Sequence, residues 1–180
     1  SDVYKRQIMD KYGADLLRAI GLHTIYVLIS VVIGIPVGVI SAVHRNSVLD
    51  YLLMTVSVFG LSIPVFWSGI MLAYYVGTVL QILPNMYYYP ISQVGLWQAI
   101  QYVILPSVAL GFQSVASIAR YTRSTMLDTL GEDYIRTARA KGLAERVVLY
   151  QHALKNAMSP VITHIGTNMA LSLIHISEPT

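Results

Sequence analysis

The fold class this sequence predicts is an all-α, polytopic membrane helix bundle. Three observations carry that reading: 55% of the residues are hydrophobic, only 12% are charged, and the charge is gathered into few places, leaving long uncharged runs. A soluble domain carries about 25% charged residues, so half the usual charge is missing. The chain has no cysteine, which excludes disulfides and thiolate metal sites. A net charge of +3 does not call for a nucleic-acid partner, and the expected surroundings are a lipid bilayer.

A helix that crosses a bilayer needs about 20 consecutive apolar residues. The first such run covers about residues 19–43 and holds no charge, with His23 near its start. The second covers about residues 51–83. It is too long for one straight span, which predicts a bend near Pro64 or an interfacial tail. The third covers about residues 96–119, and a fourth begins near Ala157 and continues past Met169.

The terminal segments, residues 1–7 and 171–180, look like translated sequencing-adapter read-through and are set aside from the fold reasoning. The alternative is an ordinary polar start and an ordinary loop. On the first reading residues 8–170 form one domain, truncated at both ends.

Lys and Arg beside short loops mark the cytoplasmic side. The segment 120–155 holds Arg120, Arg123, Arg136, Arg139, Lys141, Arg146 and Lys155, and the turn His44-Arg45-Asn46, two spans earlier, is also basic. Residues 84–98 carry no charge, so that loop faces outward. The outer loop is dense in tyrosine (Tyr87, Tyr88, Tyr89) and ends in Trp97, which suits an interfacial aromatic belt or a contact surface for an external protein.

Within the basic segment, Thr129 and Glu132 have the T-x-x-E spacing of a capping box. Glu132 precedes Arg136 by four residues, the favourable order for a helical ion pair. Leu130, Tyr134 and Ala138 recur at four-residue spacing as a less polar face flanked by Ile135, with Arg136, Arg139 and Lys141 largely elsewhere. Lys141 suits the negative helix end, and Gly142 can adopt the left-handed stop. A second amphipathic stretch, 145–157, leads back toward the membrane near Pro160. A solvated positive-inside anchor is the plainer reading of any basic loop. Here charge, cap, glycine stop and returning helix follow one another in a fixed order.

The stretch Tyr134-Ile-Arg-Thr-Ala-Arg-Ala-Lys-Gly-Leu143, with His152-Ala-Leu-Lys-Asn-Ala157, resembles the cytoplasmic coupling loop of ABC importer permeases. The likeness is nearest to the dipeptide, oligopeptide and nickel subfamily. Gly34-Ile-Pro-Val-Gly38, Leu61-Ser-Ile-Pro-Val-Phe66 and Ala119-Arg-Tyr-Thr-Arg123 extend it over roughly residues 13–170. Against the general pattern of E-A-A, three residues, G and later L-P, only Ala138, Gly142 and Leu154 match. Arg136 and Thr137 stand at the first two positions and Lys155 replaces the proline.

The resemblance implies a type I ABC importer permease fold and a bacterial inner-membrane location. It implies that Asp133, Tyr134, Arg136, Thr137, Ala138, Arg139, Lys141, Gly142, Leu143 and Leu154 dock on a cytoplasmic ATPase. Closure of two ATPases around ATP would pull this loop helix and rock the spans between inward-open and outward-open states. The implied partners are a second permease subunit, two ATPase subunits and an extracytoplasmic solute-binding protein. ATP and Mg would belong to the ATPases, since this chain has no G-x-x-x-x-G-K-[ST].

Ser57, Ser62, Ser68 and Asn168 are the polar candidates for a translocation path, with Pro64 as lining or hinge. A serine in a span can equally bond its own backbone one turn earlier, and Pro36, Pro64 and their neighbouring glycines suit close packing. His23 and His164 lack the converging ligands a metal site needs. A secondary carrier or channel is the alternative, and it would be marked by ionisable groups in the spans or an inverted repeat. None lies within the first three runs. An intramembrane enzyme would need a nucleophile–base pair or a motif such as H-E-x-x-H, and neither is present.

Overall fold

The computed structural model describes the backbone of residues 2–84 and 95–177, and the side chains of 20–84, 95, 97, 98 and 100–170. Among these residues the regular structure is entirely helical. Helix α1 covers Asp2–Val43 and α2 Val48–Ser62. Helix α3, Val65–Leu72, runs on into a π-helical stretch at Ala73–Val79. Helix α4 covers Leu96–Gly131 and α5 Asp133–Ala140. The short α6, Glu145–Val147, passes through a π-helical stretch at Val148–Leu154 into α7, Lys155–Ser177. The tyrosines at 87–89 lie outside the described residues, as do the side chains at 2–7 and 171–180.

Ile20–Val43 and Ile100–Gly131 are each long and apolar enough to cross a membrane. The bend expected near Pro64 is present and large. Val48–Ser62 and Val65–Val79 meet at 97°, so they form one broken span or a re-entrant segment. Pro64 has extended backbone, φ −62° and ψ 136°, and serves as the N-cap of α3. Proline disfavours helix in the residue before it and lacks an N–H itself, which explains why the break falls there. The fourth apolar run is helical in α7, but its side chains are described only as far as Ala170.

The third run ends later than its composition suggests. Residues 120–131 continue α4 for three more turns, so the connecting segment begins at Glu132 and not at Arg120. Charged side chains at 120 and 123 mark the apolar limit of this span without ending the helix.

The chain divides into two compact units, Ser1–Ile29 with Ser62–Ser114, and Ser30–Leu61 with Val115–Thr180. In the first, Gly111 faces Tyr26 and Ile29, and Gly69 faces Ala109. His23 is buried there and meets the Tyr26 ring edge-on at 4.7 Å. Ser107 is also buried.

In the second unit, α1 and α4 touch through glycine. Gly34 and Gly38 lie about one turn apart on α1, the small-xxx-small spacing that lets membrane helices approach closely. A Cβ at Gly38 would lie 2.5 Å from the Ala119 carbonyl oxygen and 2.6 Å from Thr122 Cβ. One at Gly34 would lie 2.9 Å from Ile118 Cγ2. Ala116, Ile118, Ala119 and Thr122 are buried along α4. Below this crossing, Ala42 of α1, Met126 of α4, Ile135 and Ala138 of α5, and Val148, Ala153 and Ala157 form one apolar cluster.

Gly38→Ala is expected to destabilise the protein by about 1–3 kcal/mol through overpacking against backbone, outweighing a gain of ~1 kcal/mol in helix propensity. Gly21→Ala, on the same helix with nothing within 4 Å of the added Cβ, should match or exceed the wild type. Thermal unfolding in detergent distinguishes them, and equal midpoints would contradict the close approach.

Candidate functional site

Helix α5 is eight residues long, too short to persist in water by propensity alone. Three features hold it. Its inner face carries Ile135 and Ala138 into the apolar cluster, where Leu127, Leu130, Leu154 and Met158 pack around them. Its C-terminal end is closed by a Schellman motif. Gly142 has φ +78°, its N–H donates to Arg139 O at 2.9 Å, and the Leu143 N–H donates to Ala138 O at 3.4 Å. Its sides are tied to the returning segment. Arg139 forks onto Glu145 (Nε–Oε2 3.1 Å, Nη2–Oε1 2.7 Å), and Asn156 Nδ2 donates to the Tyr134 hydroxyl at 3.0 Å. The Arg139 guanidinium, by hydrogen bonding, holds the Glu145 carboxyl below its ordinary range. Both groups are exposed, so the pair orients the loop more than it stabilises it.

Several sequence expectations need correction. Thr129 and Glu132 do not form a capping box. Thr129 lies inside α4, and its hydroxyl donates to Thr125 O at 2.8 Å. Glu132 is itself the N-cap of α5, with extended backbone and no side-chain cap bond. Arg136 pairs with Asp133, not Glu132, loosely at 3.4 Å. The less polar face is also rotated. Ile135, expected to flank it, is fully buried, whereas Tyr134 is 42% exposed. Ala138, expected among the docking residues, faces the core and seats the helix from beneath.

The outward face therefore presents Asp133, Tyr134, Arg136, Thr137, Arg139, Lys141, Gly142 and Leu143. Leu154 is half-buried against the cluster. The left-handed stop at Gly142 is as the sequence predicts.

Sequence reasoning missed a heavily bonded group in this unit. Asp50, near the start of α2, has a side chain only 2% exposed, and Arg123 of α4 grips it with both arms of its guanidinium. Nε meets Oδ1 and Nη2 meets Oδ2, each at 2.7 Å. Ser41 Oγ of α1 also donates to Oδ1, and the Asn46 N–H donates to Oδ2 at 3.0 Å. All four acceptor positions of the carboxylate are thus filled. The Asp50 N–H in turn donates to Ser47 Oγ at 3.2 Å, capping the start of α2. Asn46 has φ +62°, a conformation asparagine tolerates better than most residues.

Removing one partner of such a buried pair costs about 3–5 kcal/mol. Its sequence signal is Ser47-x-x-Asp50 before an apolar run, but the partner lies 73 residues away. The runs drawn from hydropathy begin at 51 and end at 119, so both charges fall just beyond them. The helices themselves include both. The bonding also places the 44–47 turn and the foot of α4 at one end of this unit, as the charge pattern expects.

Ser57, Ser68 and Asn168 each bond within their own helix. Ser57 is buried and donates to Leu53 O at 2.8 Å, and Ser68 donates to Val65 O at 2.8 Å. Ser62 is exposed, beside the Pro64 bend. Asn168 Nδ2 lies 3.0 Å from His164 Nε2, and that imidazole stacks on Tyr121 at 4.1 Å. Among the described residues no group of three or more His, Asp or Glu is placed to hold a metal ion.

Membrane-length helices, glycine-mediated crossings and a short capped helix on a basic segment define an all-α membrane permease type of architecture. Residues 34–179 match the family model described as "Binding-protein-dependent transport system inner membrane component", and the chain belongs to that family. It is 38% identical to the dipeptide transport system permease protein DppB of Alkalihalophilus pseudofirmus, over 89% of this chain and 54% of that protein. It is 39% identical to DppB of Escherichia coli K12, over 78% of this chain and 48% of that protein. It is likewise 39% identical to the oligopeptide transport system permease protein AppB of Bacillus subtilis, over 85% and 49%. The chain spans about half the length of the curated relatives it matches.

Gly142→Val is expected to fray α5, since a left-handed residue costs non-glycine side chains about 1–2 kcal/mol, while Gly142→Asn should be tolerated. Nothing lies within 4 Å of the added Cβ, so the effect is one of backbone alone. Faster tryptic cleavage at Arg139 and Lys141 in the valine variant alone is the expected result.

Proposed function

We propose that this chain is part of a permease subunit of an ATP-driven importer for peptides or a related small solute, and that α5 is its coupling helix. The observation that carries the reading is the two-sidedness of α5. Ile135 and Ala138 root it in a core shared with the feet of α1, α4 and α7, while its charged face is left outward. A solvated anchor needs neither the root nor the glycine-closed end. Permeases named for dipeptides and oligopeptides among the relatives point to peptides as cargo, with nickel as a family-level possibility.

On this reading the outer face of α5, with Tyr134, Arg136, Thr137, Lys141 and Leu143, sits in a cleft of a cytoplasmic ATPase. When two such ATPases close around ATP and Mg, they move α5, and the shared core passes that movement to the membrane helices. A second permease completes the pathway, and an extracytoplasmic binding protein delivers the solute. The subunit itself then needs no catalytic group. The protein resides in a bacterial inner membrane, with residues 44–47 and α5 on the cytoplasmic side. Ser57, Ser62, Pro64, Ser68 and Asn168 remain the proposed path residues. The carrier alternative gains nothing from Asp50, because its four acceptor positions are all occupied by the protein.

A single cysteine at Thr137 in the full-length permease, co-expressed with its ATPases, tests the reading. An ATP-dependent crosslink to an ATPase is expected at Thr137 and not at the buried Ala138. Labelling of Thr137→Cys by an external impermeant reagent, without any crosslink, would reject both the docking and the orientation.

A further inference from the structure

Helix α5 joins α4 through Glu132 alone, a residue with extended backbone. A single extended residue is a compliant joint. The apolar cluster offers a second route, since Ile135 and Ala138 share it with Ala42 of α1 and Met126 of α4. Whether α1 and α4 respond together then depends on what fixes them to each other. Their crossing is made through Gly34 and Gly38. Apolar packing of this kind sets the distance between membrane helices, but in lipid it has no hydrophobic drive behind it. Axial register calls for directional bonds.

Such bonds occur together at one place. Arg123 lies one turn before Met126, Ser41 adjoins Ala42, and Asp50, whose N–H is capped by Ser47 Oγ at the start of α2, accepts from both Arg123 and Ser41. A planar guanidinium fork holds a carboxylate in angle as well as distance. We infer that Arg123 and Asp50 are positioning residues that pin the 44–47 turn and the feet of α1 and α2 to the foot of α4, so that movement of α5 is delivered to three helices as one body. With every acceptor position of Asp50 filled, the pair is closed to cargo and its role is mechanical. This inference rests on α5 being the ATPase-docking helix.

The test uses the full-length permease, assembled with its ATPases and binding protein in proteoliposomes, and reads solute transported per ATP hydrolysed. The double variant D50N/R123M removes both charges at similar volume, so that neither is left buried and uncompensated, and the asparagine keeps an acceptor for the Asn46 N–H. It is expected to assemble and hydrolyse ATP, with transport per ATP reduced roughly tenfold, within the range for residues that carry coupling without touching either ligand. R123K keeps the charge and loses the fork, and a smaller drop of roughly threefold is expected. A purely structural pair would lower the amount of assembled complex and leave the ratio unchanged, and that result in the double variant would overturn the inference. Should the double variant fail to assemble, an unchanged ratio in R123K overturns it equally. Failure of the wild-type permease to bind any ATPase would instead reject the docking reading, and this inference with it, before any variant is compared.

Discussion

The carboxylate of Asp50 accepts from four donors contributed by α1, by the turn after it and by α4, while its own N–H donates to the Ser47 hydroxyl that caps α2. The end of α1, the start of α2 and the lower part of α4 meet at that one group. An unpaired charge so deeply buried would cost several kcal/mol, so the donors must all be in place when the helices come together. That requirement and the close approach at Gly34 and Gly38 act together to hold α1 against α4. The same requirement gives α4 a reason to continue past its apolar limit, since the turn after Ala119 carries the guanidinium that the carboxylate needs, and the turns beyond it place Met126 in the apolar cluster.

The short helix α5 depends on this arrangement from below. Its propensity is modest and its length marginal, so its place is set by tertiary contacts and by its ends. Ile135 and Ala138 find a cluster already framed by Ala42 and Met126, and Gly142 turns the chain back so that Glu145 and Asn156 can reach Arg139 and Tyr134. Asp133, Arg136, Thr137 and Lys141 are then left exposed on the outward face. A helix held rigidly on one side and left polar on the other is suited to receive force from a partner.

Local rules made part of this legible in advance. Proline at 64 located the break in the second apolar run, because a missing N–H and the restriction on the preceding residue act within a few positions. Glycine at 142 located the end of α5 for a similar reason, as few other residues accept φ +78°. The helix start was not legible. Thr129 and Glu132 satisfy the capping spacing, but tertiary contacts carry α4 through Thr129. Moving the start to Asp133 brings Ile135 and Ala138 to the inner face, an i, i+3 pair, and turns Tyr134 outward. The Asp50–Arg123 pair lay beyond any local rule. Each charge stands just outside an apolar run, and nothing in the intervening 73 residues tells that they meet.

The account turns on the claim that the pair at the feet of α1, α2 and α4 governs how firmly α5 is held. Amide hydrogen exchange in the full-length permease, compared between wild type and Arg123→Met, measures this directly. Faster exchange is expected at residues 44–52 and at 133–140 together, since loss of the register loosens the shared core. Faster exchange at residues 44–52 with α5 unchanged would contradict the account, leaving the pair a local fastening with no bearing on the helix beside it.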